Sequence, residues 1–205
     1  MRSDLTAAIL VGGRSSRFGA DKALYEWRGK TLLSHVAGPL MSEAGELFIV
    51  AKDSAPFAFM KGERVKVITD GRPEPNPFWG LLAALEALQT GWLFLCSCDV
   101  PLIRPALIRS LCAAKEGALA VAPTWGGTPQ PLAALYSKNA LHAARQLAAR
   151  EANPSPKRLL NILAARLLDE DAVKNADPGG FSFMDVDTRE TLGSLEPFAE
   201  APDAL

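Results

Sequence analysis

Two kinds of residue in this 205-residue chain can do chemistry on an anion: a cluster of cations set among glycines, and carboxylates that each follow an apolar run. The cationic cluster is Gly12-Gly13-Arg14-Ser15-Ser16-Arg17-Phe18-Gly19-Ala20-Asp21-Lys22. Glycines let the backbone approach a ligand and take positive φ, successive N–H groups form an anion-binding concavity, and Arg adds a forked donor for phosphate oxygens. The chemistry suggested is triphosphate binding; the other reading is a surface turn with solvated charges, which its position behind the first apolar run disfavours. Two familiar phosphate loops are excluded. A P-loop ending at Gly29-Lys30-Thr31 would need glycine where Leu24 stands, and the adjacent Gly12 and Gly13, with the next glycine at Gly19, do not make a dinucleotide fingerprint.

Asp99 follows the apolar stretch from Trp92 to Cys98 and precedes Val100-Pro101. It reads either as a ligand for Mg²⁺, a hard cation held by one or two carboxylates together with substrate phosphates and waters, or as a helix cap, and the ligand reading is preferred. Asp70 comes directly behind Val65 to Thr69 in the same way, and Asp185 and Asp187 come behind Phe181 to Met184. In a late strand of period two, Asp185 and Asp187 point to one side, so that Asp187 could reach a metal on Asp99. The competing reading has Asp187 and Thr188 capping a last helix over Arg189 to Leu195.

Such residues need elements to carry them. Short apolar runs at Leu5 to Val11, Glu46 to Ala51, Arg64 to Thr69, Trp92 to Cys96 and Ala118 to Ala122 read as strands. Between them, Thr31 to Ala44, Phe78 to Gln89, Pro105 to Lys115 and Ser137 to Arg150 carry helical spacing, with Asp70 and Ser137 as polar starts and a kink or break expected at Pro39. This β-α-β rhythm predicts a single domain over residues 1–205: a three-layer α/β/α fold with a mostly parallel sheet, whose ligands bind beyond the carboxyl ends of the strands. Arg72 to Pro77 and Asn153 to Pro156 are Pro-rich and read as irregular loops bordering the site.

Composition narrows the partners. With 48% hydrophobic and 22% charged residues and a net charge of -1, the chain has no electrostatic case for nucleic acid or a membrane surface, and a small ligand is expected. No apolar run reaches the roughly 20 residues of a membrane span, and the N-terminus lacks the pattern of a leader, which predicts a cytoplasmic protein. Cys96, Cys98 and Cys112 read as structural thiols, Cys96 and Cys98 on one strand face; with only His35 and His142 beside them, no zinc site is expected.

In order along the chain, Leu10-Val11-Gly12-Gly13 through Asp21-Lys22, Cys98-Asp99-Val100-Pro101, Pro129-Gln130-Pro131-Leu132 and Asp185-Val186-Asp187-Thr188 resemble the molybdenum cofactor guanylyltransferases. The resemblance spans nearly the whole chain. It implies a nucleotide-diphospho-sugar-transferase-like fold, GTP with Mg²⁺ and molybdopterin as substrates, and the guanine dinucleotide cofactor and pyrophosphate as products. By the same resemblance the backbone of Leu10, Val11, Gly12 and Gly13 meets the nucleotide, Lys22 its phosphates, Asp70 the nucleotide and Asp99 the Mg²⁺, while Arg17 matches the motif's arginine. Other cofactor-biosynthesis proteins and recipient molybdoenzymes are implied as partners. Departures include Val11 for Ala, Asn76 for Gly in the loop before the second helix, and Asp185 and Asp187 where some members have Asn.

The implied chemistry is attack by the terminal phosphate of molybdopterin on the α-phosphorus of GTP, with Arg17, Lys22 and metal-bound Asp99 offsetting the charge that develops. Gln130, Lys157 and Arg158 are candidates for holding the acceptor, against the alternative that these charges are simply solvated at a helix start. Two other functions remain: a nucleotidyltransferase using CTP or a different acceptor such as a sugar 1-phosphate, and a nucleotide-binding regulatory module without turnover.

Overall fold

The computed structural model describes residues 4–12, 22–72 and 74–199. Its first strand, β1 (Leu5–Val11), is apolar on both faces and is buried almost throughout. A short hairpin, β2 (Glu26–Trp27) and β3 (Lys30–Thr31), leads into α1 (Leu32–Glu43), where the Thr31 side chain accepts from the Ser34 N–H at 3.1 Å. The expected break at Pro39 does not occur. Pro39 lies inside α1, whose Leu32, Leu33, Val36 and Leu40 are fully buried, so tertiary packing outweighs the single hydrogen bond that proline removes.

Next come β4 (Glu46–Ala51), β5 (Val65–Thr69) and α2 (Pro77–Ala87). The cap of α2 is Asn76, followed by Pro77 in the first helical turn where a missing N–H costs nothing, so Asp70 is not the start of this helix. The chain continues through β6 (Trp92–Ser97), α3 (Pro105–Ala113) and β7 (Ala120–Trp125). Two strands that the sequence reading did not separate follow, β8 (Thr128–Pro129) and β9 (Ala133–Ser137). Ser137 therefore ends a strand, paired with Trp92, and α4 (Ala140–Arg150) begins later. After α4 come α5 (Pro156–Ile162), a further unanticipated strand β10 (Arg166–Leu168), α6 (Glu170–Ala176) and α7 (Arg189–Ser194).

The strands lie in the order β10-β7-β9-β6-β1-β4-β5, with β8 paired to β7. Every pairing on the path is parallel except those made by β9, which runs against both β6 and β7. Side chains alternate between the two sheet faces. Ala7, Ile9, Leu47, Ile49, Phe94 and Cys96 pack with α1, α3 and α6, whereas Ala8, Phe48, Val50, Leu93 and Leu95 pack with α2, α4 and α5. Each buried Leu or Phe is worth about 1.5–3 kcal/mol, so this three-layer arrangement is held mainly by apolar burial. Cys96 and Cys98 share the α1/α3 face and form no disulfide, and burial pushes the Cys96 thiol well above its ordinary value. No helix among the described residues is long and apolar enough to cross a membrane.

The expected late strand over Phe181 to Met184 is instead a 3₁₀ turn, Phe181–Phe183, because left-handed Gly180 redirects the chain there. Asp177 receives the N–H groups of Phe181 and Ser182 at 3.0 and 2.7 Å, and Phe183 stacks on Trp125 with ring centres 5.0 Å apart. Beyond the turn, Val186 joins Trp27, Leu32, Leu102, Leu192 and Leu195 in a third apolar cluster that docks α7 on the hairpin.

Gly180 has φ +63, and an added Cβ would lie 2.0 Å from Trp125 Cζ2; Gly126 has φ +59 with open space around it. Gly180→Ala combines backbone strain with overpacking and should cost about 2–4 kcal/mol, against about 1 kcal/mol for Gly126→Ala. Thermal unfolding checks this: equal losses for the two variants would show that the Trp125 contact is immaterial.

Candidate functional site

The sheet delivers its polar residues to one edge because the central strands end in register. Leu10 pairs with Ser97, Val11 with Ala51, and Ala51 with Thr69. The residues that follow, Gly12, Lys52, Asp70 and Asp99, therefore emerge side by side at the carboxyl ends of β1, β4, β5 and β6 and line one cleft of about 300 Å³. Its apolar wall includes Leu10, Val50, Pro77 and Leu132. Gly80 lets α2 close on that wall, since a Cβ there would meet Leu10 Cδ2 at 2.7 Å. Gly12 stands at φ +145, a conformation L side chains rarely adopt, and among the described residues no atom lies within 4 Å of where its Cβ would be.

The other end of the cleft is ionic. Lys22, on the 3₁₀ turn Lys22–Leu24, is 9% exposed, and its Nζ lies 3.4 Å from Asp99 Oδ2 and 3.5 Å from Asp187 Oδ1. An ammonium this buried must be paired, which fixes its place between the two carboxylates. Asp99 Oδ1 accepts from the Ser97 hydroxyl, and the Asp99 carbonyl accepts from the Val186 N–H at 2.8 Å. That backbone bond pins the segment carrying Asp187 against the end of β6. Asp187 does not cap α7: Thr188 does, with Thr191 completing a capping box. Asp185 and Asp187 are exposed on either side of buried Val186.

The two ends have different builders. Asp70, 10% exposed at its side chain, accepts from the Arg72 N–H at 3.1 Å and lies 3.5 Å from Lys52 Nζ. Lys52 also donates to the carbonyls of Arg72 and Glu74, each at 2.7 Å, and so braces the Pro-rich loop before α2. Lys52, Ser97 and Pro77 as part of the apolar wall were not singled out as site residues from sequence. The rule that found Asp70 and Asp99, a polar residue directly behind a strand, applies equally to Lys52.

Of the sequence candidates, Leu10, Val11, Gly12, Asp70 and Asp99 share the cleft, and Lys22 and Asp187 join it through Asp99. Gly13 and Arg17 lie outside the described residues. Gln130 turns its amide nitrogen onto the β7–β8 hairpin, donating to the Trp125 and Thr128 carbonyls at 3.1 and 3.3 Å. Arg158 pairs with Glu151 at 3.1 Å and lines a separate hollow between α4 and α5, while Lys157 is exposed at the start of α5. His35 Nε2 is 2.8 Å from the Trp27 carbonyl and His142 contacts Gln146 on α4, so neither histidine faces the cleft.

Among the described residues no group of three or more His, Cys, Asp or Glu side chains could hold a metal by itself. Asp99 and Asp187, brought to one ammonium, are a pair of hard oxygen donors; such a pair suits a hard cation that completes its shell with water and phosphate oxygens.

The family model of the MobA-like NTP transferase domain matches residues 7–170. The molybdenum cofactor guanylyltransferase of Cupriavidus metallidurans is 38% identical over 117 residues, 56% of this chain and 57% of that protein, so the match spans little more than half the relative's length. A probable molybdenum cofactor guanylyltransferase of Bacillus licheniformis is 31% identical over 199 residues, covering 93% of this chain and 95% of its own. Among solved structures, molybdopterin-guanine dinucleotide biosynthesis protein A from Archaeoglobus fulgidus superposes with a TM-score of 0.79 at 22% identity, over 96% of this chain and 100% of that one. The fold is thus of the nucleotide-diphospho-sugar-transferase type, a mixed sheet of mostly parallel strands flanked by helices. From the match over residues 7–170 and the near full-length likeness to the Bacillus licheniformis protein, the chain belongs to the MobA-like NTP transferase domain family.

Proposed function

We propose that this protein transfers GMP from GTP to the terminal phosphate of molybdopterin, giving the molybdopterin guanine dinucleotide and pyrophosphate. The observation that carries the reading is the nearly buried Lys22 ammonium between Asp99 and Asp187, at one end of a cleft whose other end is apolar. The names of the relatives from Cupriavidus and Bacillus support the same reaction. Val50, Pro77 and Leu132 suit the flat face of a nucleobase, and the Gly12 backbone and Lys22 suit its phosphates. Asp99 and Asp187 would hold Mg²⁺, which when bound supplies Lewis-acid neutralisation of phosphoryl charge.

The chain's own residues bind and orient. A phosphate monoester has a second pKa near 6, so its attacking oxygen is already ionised at neutral pH and no general base is required. That fits a cleft to which neither histidine turns. Lys22 holds positive charge where phosphoryl oxygens gain negative charge, a preorganised electrostatic contribution. On the acceptor side, Lys157 would meet the terminal phosphate or the pterin, Gln130 would shape the hairpin rim, and Arg158 would join once released from Glu151. Arg17 is assigned to the phosphates with Lys22. Cofactor-biosynthesis proteins upstream and molybdoenzymes downstream would be the protein partners.

Asp99→Ala and Lys22→Ala should each lower guanylyl transfer by about a hundredfold or more, since one such contact is worth on the order of 3 kcal/mol in the barrier. Pyrophosphate release from GTP with molybdopterin reads this out, and a wild-type rate for Asp99→Ala would sink the metal assignment. The same assay with CTP and with sugar 1-phosphates decides nucleotide and acceptor; turnover only with a sugar phosphate would replace the proposal. With molybdopterin the rate should fall as pH drops below about 6, because protonation removes the attacking dianion. A rate constant from pH 7 to pH 5 would contradict direct attack by the ionised phosphate.

A further inference from the structure

Asn76 stands at the rim of the cleft, half-buried, and makes three hydrogen bonds in two directions. Its Oδ1 accepts from the Phe78 N–H at 2.9 Å, which caps α2. Its Nδ2 donates to Asn153 Oδ1 at 3.1 Å and to the Pro154 carbonyl at 2.7 Å, on the loop between α4 and α5. The backbone N–H fixes which way the amide faces, because only the oxygen can receive it; the two remaining partners are both acceptors and need the NH₂ group. An Asn side chain satisfies one donor and two acceptors at this reach, whereas Asp would set a carboxylate against two oxygens and Ser or Gly would leave them without donors. The backbone here is extended, at φ -143 and ψ 120, so nothing in the main chain demands the glycine that the resemblance would place at this position.

The consequence is a link between segments 77 residues apart in sequence. Asn76 belongs to the wall made by Pro77 and Gly80, and Asn153 and Pro154 lead directly to Ser155, whose side chain caps α5. Pro154 is buried and Asn153 is exposed, so the latch draws a surface loop onto the cleft rim. We infer that Asn76 is a positioning residue for the nucleotide: its amide latches the 153–154 loop to the start of α2 and holds the rim of the cleft in its binding shape. This rests on the cleft being the GTP site, as proposed above.

Asn76→Ser is neutral, keeps a cap acceptor for α2 and lacks the two donors; Ser and Asn are comparable caps. Titration calorimetry with MgGTP should show its dissociation constant rising about tenfold, the scale of two lost hydrogen bonds, and KM for GTP should rise with it while kcat stays within about threefold. Asn153→Ala, at an exposed side chain away from the cap, should give a smaller rise, and the double variant should be no worse than Asn76→Ser alone, as for two halves of one interaction. Wild-type affinity in both Asn76→Ser and Asn153→Ala, or effects that multiply in the double variant, would overturn the inference. If Asn76→Ser failed to fold, Asn153→Ala by itself would decide it: weakened binding supports the latch and unchanged binding removes it. Absence of MgGTP binding by the wild-type protein would instead bring down the cleft assignment and the inference with it.

Discussion

A lysine ammonium that is nearly out of water has to be surrounded by anions, and this requirement organises the polar end of the molecule. Withdrawing such a charge costs several kcal/mol, and it is offset only if the opposing groups are held in place by something other than the pair itself. Asp99 is held by the end of β6 and the Ser97 hydroxyl, and Asp187 by the backbone bond from Val186 to Asp99. Lys22 comes from a third element, the 3₁₀ turn Lys22–Leu24. Three separate stretches of chain thus meet at one charge, and apolar Val186, docked among Trp27, Leu102 and Leu192, keeps the last of them in register.

The opposite end of the cleft carries an ion pair of its own, covered on the carboxylate side and open on the lysine side. Asp70 is largely covered while Lys52 stays exposed, and both also work through backbone partners of the Pro-rich loop, where the strength of each contact is modest and its geometric restraint matters more. Gly80 and Leu10 set how close α2 comes to the sheet. Shape therefore dominates one end and charge the other, as a ligand with a flat apolar group joined to a polyanion would require.

Much of this was legible in the sequence because it follows from local rules. The apolar runs at Leu5–Val11 and Glu46–Ala51 are strands with the predicted bounds, and Asp70 and Asp99 sit behind strands at one edge as the alternation of elements implied. What escaped notice depended on distant partners. Ala133–Ser137 is short and apolar on both faces, so periodicity could not separate it from the helix that follows; its reversed direction is set by pairing with β6 and β7. Pro39 remained inside α1 because burial outweighs local propensity. Phe181 to Met184 lost its strand to left-handed Gly180, which lies against Trp125, 55 positions earlier in the numbering, with no room for a Cβ. The second role of Asn76 could not be read at all, since its partner lies in another loop.

The hydrogen bond from Val186 to Asp99 also makes the ionic end depend on a segment that follows the sheet in sequence. A nascent chain that has emerged only as far as α6 already holds every strand of the sheet, yet it lacks the carboxylate that completes the surroundings of Lys22. The ammonium then faces a half-finished enclosure, open to solvent on the side where the terminal segment will settle. The ionic end is accordingly completed by residues that follow the sheet in sequence, and removing the segment that carries Val186 and Asp187 would return the molecule to that unfinished condition.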